Sequence, residues 1–593
     1  MKRLHDKNTS VIFTLINLWI VIVSCNACSP VCDCVGDYFV YCDRRELTSG
    51  HLFDLINDLP VKASYIDFSH NVIKELTNTI FCRHTALTSI SLDHNIISDI
   101  DGNTFHPLLR LRKLYLQHNQ LPHLKPGLFS HLTQLQNLHI NNNYIRHIRD
   151  GSFARLVNLR ELRLNRNYLY NVTSEAFAGL TNLHTLDLSN NNIHKISDFS
   201  FASLFRLRKL FLKANRVSIL ASNSFWNLTS LRELDLGHNR IVSIHPKYLD
   251  PFRQHIRILR LPSNRLVTLH GDVFTDMASL KVLDLSYNRL KTIEENVFWH
   301  LDLNELYLEG NSIEIVRREM FLHTLSLKHV DLSHNMITNI SPGAWAGLGQ
   351  SLLFLNLTGN RLVDLSRSMM QGMTALRNLC LANNKILTID PNFLSELTNL
   401  QTLDLRANRL RSLVASDFIG LSVVPRLHLE YNPLIQFSGF MFNGEVHVSL
   451  SASVTSKDDR TINITWPFKE GNQLYWSVSV KNLNRTEIDN DNTFYLQAYL
   501  TNAMIPGLSP LTHYYICVRP VFVDESVIVN QIAYVTTLDT DELIPPTTLR
   551  DDVQISRSSQ CRPLLWNVVN LLLFTVILKF SLVPLSNGIV FDD

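Results

Sequence analysis

The chain has 593 residues, too many for one compact core, so it must divide into units or extend as a repeat array. Lys and Arg total 55 against 53 Asp and Glu, which leaves no general positive field for phosphate backbones and argues against nucleic acid as the partner. Gly and Pro, at 20 each, exclude collagenous and disordered chains.

Residues 1–27 begin Met1-Lys2-Arg3 and run into Val11 to Val23, apolar but for Thr14 and Asn17, before small residues near Ala27. That pattern predicts a secretory signal peptide, the apolar run being short for a ~30 Å hydrocarbon core. Secretion decides how the cysteines read, because disulfides persist in an oxidising compartment. Cys28, Cys32, Cys34 and Cys42 form a C-x3-C-x-C-x7-C run within residues 28–62. The run predicts disulfides, since no histidine or second cysteine pair completes a zinc spacing.

Over residues 63–442 the sequence repeats sixteen times. Asparagines fall at Asn71, Asn95, Asn119 and onward to Asn432, 24 residues apart except for two steps of 25 and one of 23. Each stands in the frame L-x-x-L-x-L-x-x-N-x-L, as in Leu159 to Leu169. The Leu162, Leu164 alternation has strand period, so these leucines point inward while Glu161, Arg163 and Asn165 point out. After the strand the chain must turn, and an asparagine amide can satisfy the buried backbone groups of that turn. Ten residues beyond each asparagine stands an aromatic, from Phe81 to Phe442, replaced only by Leu249, Met370 and Leu394. Stacking these side chains would join the repeats into one core.

This frame resembles the extracellular leucine-rich-repeat family of 24-residue type, over about residues 28 to 442. The resemblance implies an α/β-type solenoid, a curved horseshoe with a parallel concave β-sheet, whose N-terminal end is closed by a cysteine cap pairing first with third and second with fourth cysteine. Val424 to Leu434 then looks like a last repeat, but the cysteines of the family's C-terminal cap are missing, so something else must cover that end. The candidate is residues 446–538. Thr461 to Trp466 and Tyr475 to Val480 read as strands, and Leu508-Ser509-Pro510-Leu511-Thr512-His513-Tyr514 resembles the tyrosine corner of an all-β fibronectin type III-like sandwich.

A polar linker, 539–563, leads to 564–585, an apolar stretch interrupted by Lys579, with 586–593 beyond it. It is read as a C-terminal hydrophobic anchor: a transmembrane segment with a short cytosolic tail, single-pass type I at the plasma membrane. A lipid-anchor signal near Ser556 to Ser559 is the alternative.

No H-E-x-x-H, G-x-S-x-G or Gly-Lys phosphate loop occurs, so no enzyme, metal or cofactor is expected. The histidines before ladder asparagines, among them His94, His118, His238 and His334, read as surface polar residues. Asp187, Asp235, Asp284, Asp331 and Asp404 read as repeat consensus rather than calcium ligands. The informative positions are outward ones. Tyr115, Arg163 and Phe211, with His139, Arg166, Lys209 and Lys213 nearby, are candidate ligand-binding residues, because aromatics and arginines dominate interface energy; Tyr307 and Arg260 hold equivalent positions. Glycosylation acceptors stand at Asn171, Asn227, Asn339, Asn356, Asn463 and Asn484, and Asn356, between Leu355 and Leu357, is expected to project from the concave sheet. Cys82, Cys380, Cys517 and Cys561 remain, and Cys380, outward on a strand, or Cys561 could link a homodimer, burial or a free thiol being the favoured reading. The expected function is a cell-surface receptor or adhesion protein binding an extracellular protein ligand or cell-surface receptor on the concave face, with no signalling domain of its own. Its alternative is a lipid-anchored or shed matrix spacer, or an innate-immune pattern receptor lacking a cytosolic domain.

Overall fold

A computed structural model of the protein describes residues 28–413 apart from Glu295, residues 426–433, and the backbone of strands between 436 and 536. Residues 1–27, the linker 539–563, the stretch 564–585, the tail, Trp466, Asn484 and Cys561 lie outside the described residues.

Sixteen three-residue strands, from Tyr65–Asp67 to Arg426–His428, stack in parallel, one per repeat. The register is fixed: Glu161, Leu162 and Arg163 face Thr185, Leu186 and Asp187, which face Lys209, Leu210 and Phe211. Slipping by one residue would turn the buried central leucines to solvent and an outward residue to the core, so burial holds this register.

The asparagine ladder works as the sequence suggests, and it joins each turn to its neighbours. Asn167 Nδ2 donates to Leu164 O within its own turn and to Ile140 O in the preceding turn, both at 3.0 Å, while its Oδ1 accepts from Ile145 N at 3.0 Å. The residue before each ladder asparagine is forced to positive φ, from His70 at 54° to Arg166 at 55°. Histidine, asparagine and glycine recur there because left-handed backbone excludes branched side chains. On the opposite side of the coil Phe81, Phe105, Phe129, Phe153, Phe177, Phe201 and Phe225 stack with centroids 6.0 to 6.4 Å apart. In the longer turn that follows, Leu249 is buried at the tenth position and Phe252 supplies the ring, edge-on to Phe225 at 5.9 Å.

The expected α/β character is corrected: the repeats form a nearly pure β-solenoid. The α-helix among the described residues, Ser49–Leu55, precedes the repeats and is capped by Thr48. The return side has short parallel strand pairs such as Asn171–Val172 with Lys195–Ile196, and 3-10 turns such as Arg367–Met370. The reason is repeat length. Between Gly151 and Leu159 the chain makes i→i+3 bonds, Ala154 N to Gly151 O, Leu156 N to Phe153 O and Leu159 N to Leu156 O, so consecutive turns occupy the room a helix would need.

At the N-terminal end Cys28 is bonded to Cys34 and Cys32 to Cys42, the pairing that the resemblance implies. They hold the hairpin Asp33–Val35 with Phe39–Tyr41, and Phe39–Tyr41 pairs in parallel with the first repeat strand, Tyr65–Asp67. At the other end the strand Glu445–Ser451 pairs in parallel with Arg426–His428 and also with Val527–Thr536. Both open edges of the solenoid sheet are therefore paired, which removes the usual route to edge-to-edge association. Beyond that strand lie two antiparallel sheets, Ser453–Asp458 with Thr461–Thr465 and Asn502–Ile505, and Asn492–Gln497 with Gln473–Asn482, His513–Phe522 and Val527–Thr536.

Two further expectations are corrected. Among the described residues no helix is long and apolar enough to cross a membrane, and 564–585 lies outside them. The transmembrane anchor, and with it the single-pass type I plasma-membrane assignment, is withdrawn. Cys380, third in the strand Asn378–Cys380, is fully buried, in line with the favoured reading, and is disulfide-bonded; Cys82 is the exposed free thiol among the described residues.

Candidate functional site

Strand alternation sends the first and third residues of every strand to one outward face, so residues 24 apart form rows across the sheet. One row runs Ser91, Tyr115, His139, Arg163, Asp187, Phe211, Asp235 and Arg260. The parallel row on the other side of the leucines runs Lys113, Asn137, Glu161, Thr185, Lys209 and Glu233. Tyr115, His139, Arg163 and Phe211 are therefore brought into one line, with Lys209 beside it; Arg166 and Lys213 lie at its margin, exposed and without ion pairs among the described residues.

The contacts divide this face into two clusters. In the first, Tyr115 meets the His139 ring edge-on at 5.0 Å, His139 Nε2 lies 3.5 Å from Glu161 Oε1, Arg163 Nε donates to Glu161 Oε1 at 2.6 Å, and Asn137 Nδ2 donates to Glu161 Oε2 at 2.8 Å. Burial alone would raise the Glu161 pKa, but the hydrogen bond and charge of Arg163, with His139 and Asn137, outweigh it and hold the carboxyl below its ordinary value. Burial, reinforced by Arg163, lowers the pKa of His139, and burial raises that of Tyr115. In the second cluster Glu233 accepts from Arg260 Nη1 at 2.6 Å and lies 3.0 Å from Lys209 Nζ. Glu161, Glu233 and Asn137 were not singled out in the sequence. The signal for the two glutamates was present, an acidic residue at the first strand position two before or one turn away from an arginine.

The five L-D-L aspartates have a structural use. The Oδ1 of Asp187, Asp235, Asp284, Asp331 and Asp404 accepts the backbone N–H two residues on at 2.9 to 3.1 Å, closing the turn after the strand. Histidines at the positive-φ position also meet: His70 stacks on His94 at 4.3 Å and His94 on His118 at 4.1 Å, with Asp93 Oδ2 2.8 Å from His94 Nδ1. His70, Asp93 and His94 hold potential metal ligand atoms within 4.8 Å of one another. The near-parallel rings, 13° apart, keep their in-plane lone pairs from converging on one point, so no metal role is assigned.

The acceptors Asn171 and Asn227 are half-buried, Asn227 Nδ2 donating to Ala202 O at 2.7 Å, and Asn339 is exposed. Asn356 is buried and its amide donates to Asp331 Oδ2 at 3.0 Å, so a glycan there would have to displace that bond. Asn463 lies on the strand Thr461–Thr465, its side chain outside the described residues.

The leucine rich repeat family matches residues 85–145, 133–193, 181–241, 254–313, 302–362 and 374–434, more than half of the chain. The chain belongs to the leucine rich repeat family. Such repeats are characteristically non-catalytic scaffolds. With two disulfides closing its first turn, it is of the extracellular type. Among solved structures it is similar to a TLR13–ssRNA13 complex, at 26% identity and a TM-score of 0.54 over 66% of this chain and 54% of that one. It is also similar to the Toll–Spatzle complex of Drosophila, at 24% identity and a TM-score of 0.59 over 70% of this chain and 56% of that one, a likeness of fold. The chain thus spans little more than half the length of these proteins. No curated protein sequence matches it.

Proposed function

We propose that this leucine-rich-repeat chain is a recognition protein whose ligand is an extracellular protein, bound on the sheet face between Lys113 and Arg260. The observation that carries the reading is the Tyr115–His139–Glu161–Arg163 cluster. It presents an aromatic and an arginine that Glu161 holds in place on a rigid sheet, the residue types and preorganisation that concentrate binding energy. Phe211, half-buried two strands along, is the second anchor, and Arg166 and Lys213 form a charged rim that steers an acidic partner. Fold likeness to Toll, whose structure is that of a complex with Spatzle, supports a protein ligand on such a solenoid. The same likeness favours a second reading, an innate-immune recognition ectodomain, over a passive matrix spacer.

Residues 1–27 serve in this reading as a signal peptide, and 446–538 as a fibronectin type III-like unit that closes the last repeat. The two antiparallel sheets, three strands and four, support that assignment. The test is an ectodomain binding screen against secreted and cell-surface proteins, followed by affinity measurements with Tyr115→Ala and Arg163→Ala. Partners that bind both variants as tightly as the parent protein, or a screen that returns none, would remove the sheet face as the binding surface.

A further inference from the structure

The cations of the sheet face are largely neutralised by Glu161 and Glu233. A second set, on the side of the solenoid just after the ladder asparagines, is not. The five residues following seven successive asparagines, 144–148, 168–172, 192–196, 216–220, 240–244, 265–269 and 289–293, include no Asp or Glu, but contain Arg146, Lys195, Arg216, Arg240, Arg265, Arg289 and Lys291. Arg216, Arg240, Arg265 and Arg289 occupy the same position in four consecutive turns. Their backbone N–H groups bond the preceding turn at Ile193, Val217, Ile241 and Leu266, each at 2.8 Å, so the four side chains leave the surface at strand spacing, ~4.8 Å. All four are exposed, as is Arg146, and none of the five makes an ion pair or side-chain hydrogen bond among the described residues. Beside them lies a depression of about 670 Å³, lined by Arg146, Tyr168, Tyr170, His194 and three of the ladder arginines.

Like charges at this spacing repel, and folding offers them no counter-charge. A linear polyanion would supply one for each turn, with guanidinium forks matching the geometry of sulfate or phosphate oxygens. The neighbouring rings decide between polyanions. Tyr144 stacks on Tyr168 and Tyr170 on His194, both with centroids 5.8 Å apart, so each of these rings already covers another. Single-stranded nucleic acid is held by bases that stack on open ring faces, and each of these rings already gives a face to its neighbour. A polysaccharide needs no such face. The disulfide-closed N-terminus belongs to the oxidising extracellular space, where sulfated polysaccharides are met. We propose that the strip from Arg146 to Arg289 binds a linear sulfated polysaccharide, independently of the protein ligand on the sheet face. The glycosylation acceptor Asn171 lies in the turn of Tyr168 and Tyr170, one turn past Arg146 and two before Arg216, and so stands within the strip and borders its run of four ladder arginines.

The test uses the secreted full chain, with heparin oligosaccharides as the probe and calorimetry at several salt concentrations as the readout. The parent protein should bind heparin and not its desulfated form. The triple variant R216Q/R240Q/R265Q should bind at least tenfold more weakly and with a salt slope reduced by roughly two to three. R110Q/R155Q/R208Q, which removes as many exposed arginines elsewhere, should bind like the parent. R216K/R240K/R265K keeps the charge and loses the fork, and should fall between; it also serves if the glutamine variant fails to fold. The proposal is overturned if the parent does not bind heparin, if both glutamine variants lose affinity equally, or if a poly(U) oligonucleotide of equal charge binds more tightly than heparin.

Discussion

Arg163 donates to Glu161 from two residues along the same strand, at 2.6 Å, although both side chains stand on a face where either could reach solvent. The bond turns a flexible arginine into a fixed one, and Glu161 also faces His139 from the adjacent strand. A partially exposed pair of this kind adds little to stability by itself. Its consequence is for binding, since less side-chain freedom is lost when the ligand docks.

For the sheet face, Tyr115→Ala, Arg163→Ala and Phe211→Ala should each weaken the protein ligand by ~2 kcal/mol or more, about thirtyfold. Melting temperatures should change little, because the three project from the sheet rather than into the core. Glu161→Gln should act in the same direction but less strongly, its effect appearing with Arg163 present and vanishing in an Arg163→Ala background. Additive effects in that double-mutant cycle would refute the positioning role.

The core prediction separates structure from binding in a single repeat. Leu164 is fully buried, and Leu164→Ala should destabilise by ~2 to 5 kcal/mol through the cavity it leaves. Asn167→Ala strips the partners from Ile145 N, Ile140 O and Leu164 O, and should cost ~3 kcal/mol or more. Urea midpoints of the two variants measure both effects.

Acid should weaken the fold through His329. Its ring stacks on Phe354 at 4.3 Å, its Nε2 has no hydrogen-bond partner among the described residues, and burial pushes its pKa from 6.5 down to about 4. The folded state therefore keeps the imidazole neutral while the unfolded chain takes up a proton below pH 6.5. This contribution is fully present above that value and is lost as pH falls toward 4, by about 3 kcal/mol in all. Melting temperature followed from pH 7 to 4.5 should fall less steeply in His329→Phe than in the parent, and parallel slopes would exclude the histidine.

At the N-terminal end, removing the Cys32–Cys42 bond with a double serine substitution should cost ~2 to 3 kcal/mol. The loss should be local. Hydrogen exchange should rise at Phe39–Tyr41 and Tyr65–Asp67, while the strands around Leu210 keep their protection, because repeats contact only their neighbours.

The sequence by itself determined the sixteen turns, the inward leucines, the asparagine ladder and the phenylalanine stack, since each is a periodic demand of backbone hydrogen bonding and burial that a 24-residue spacing makes visible. Repeat length was legible, but the conformation of the return side was not: consecutive i→i+3 turns and a short helix are distinguished by hydrogen bonds that periodicity does not encode. Tertiary structure decided which charges are paired. Arg163 and Lys209 look in sequence like part of a basic surface, yet Glu161 and Glu233 neutralise them, one from the same strand and one from the next. The ladder arginines Arg216 to Arg289, unpaired among the described residues, are scattered in sequence at 24- and 25-residue intervals. Only the stacking of the turns, ~4.8 Å apart, makes them neighbours, because residues so distant along the chain become adjacent when each turn closes on the one before.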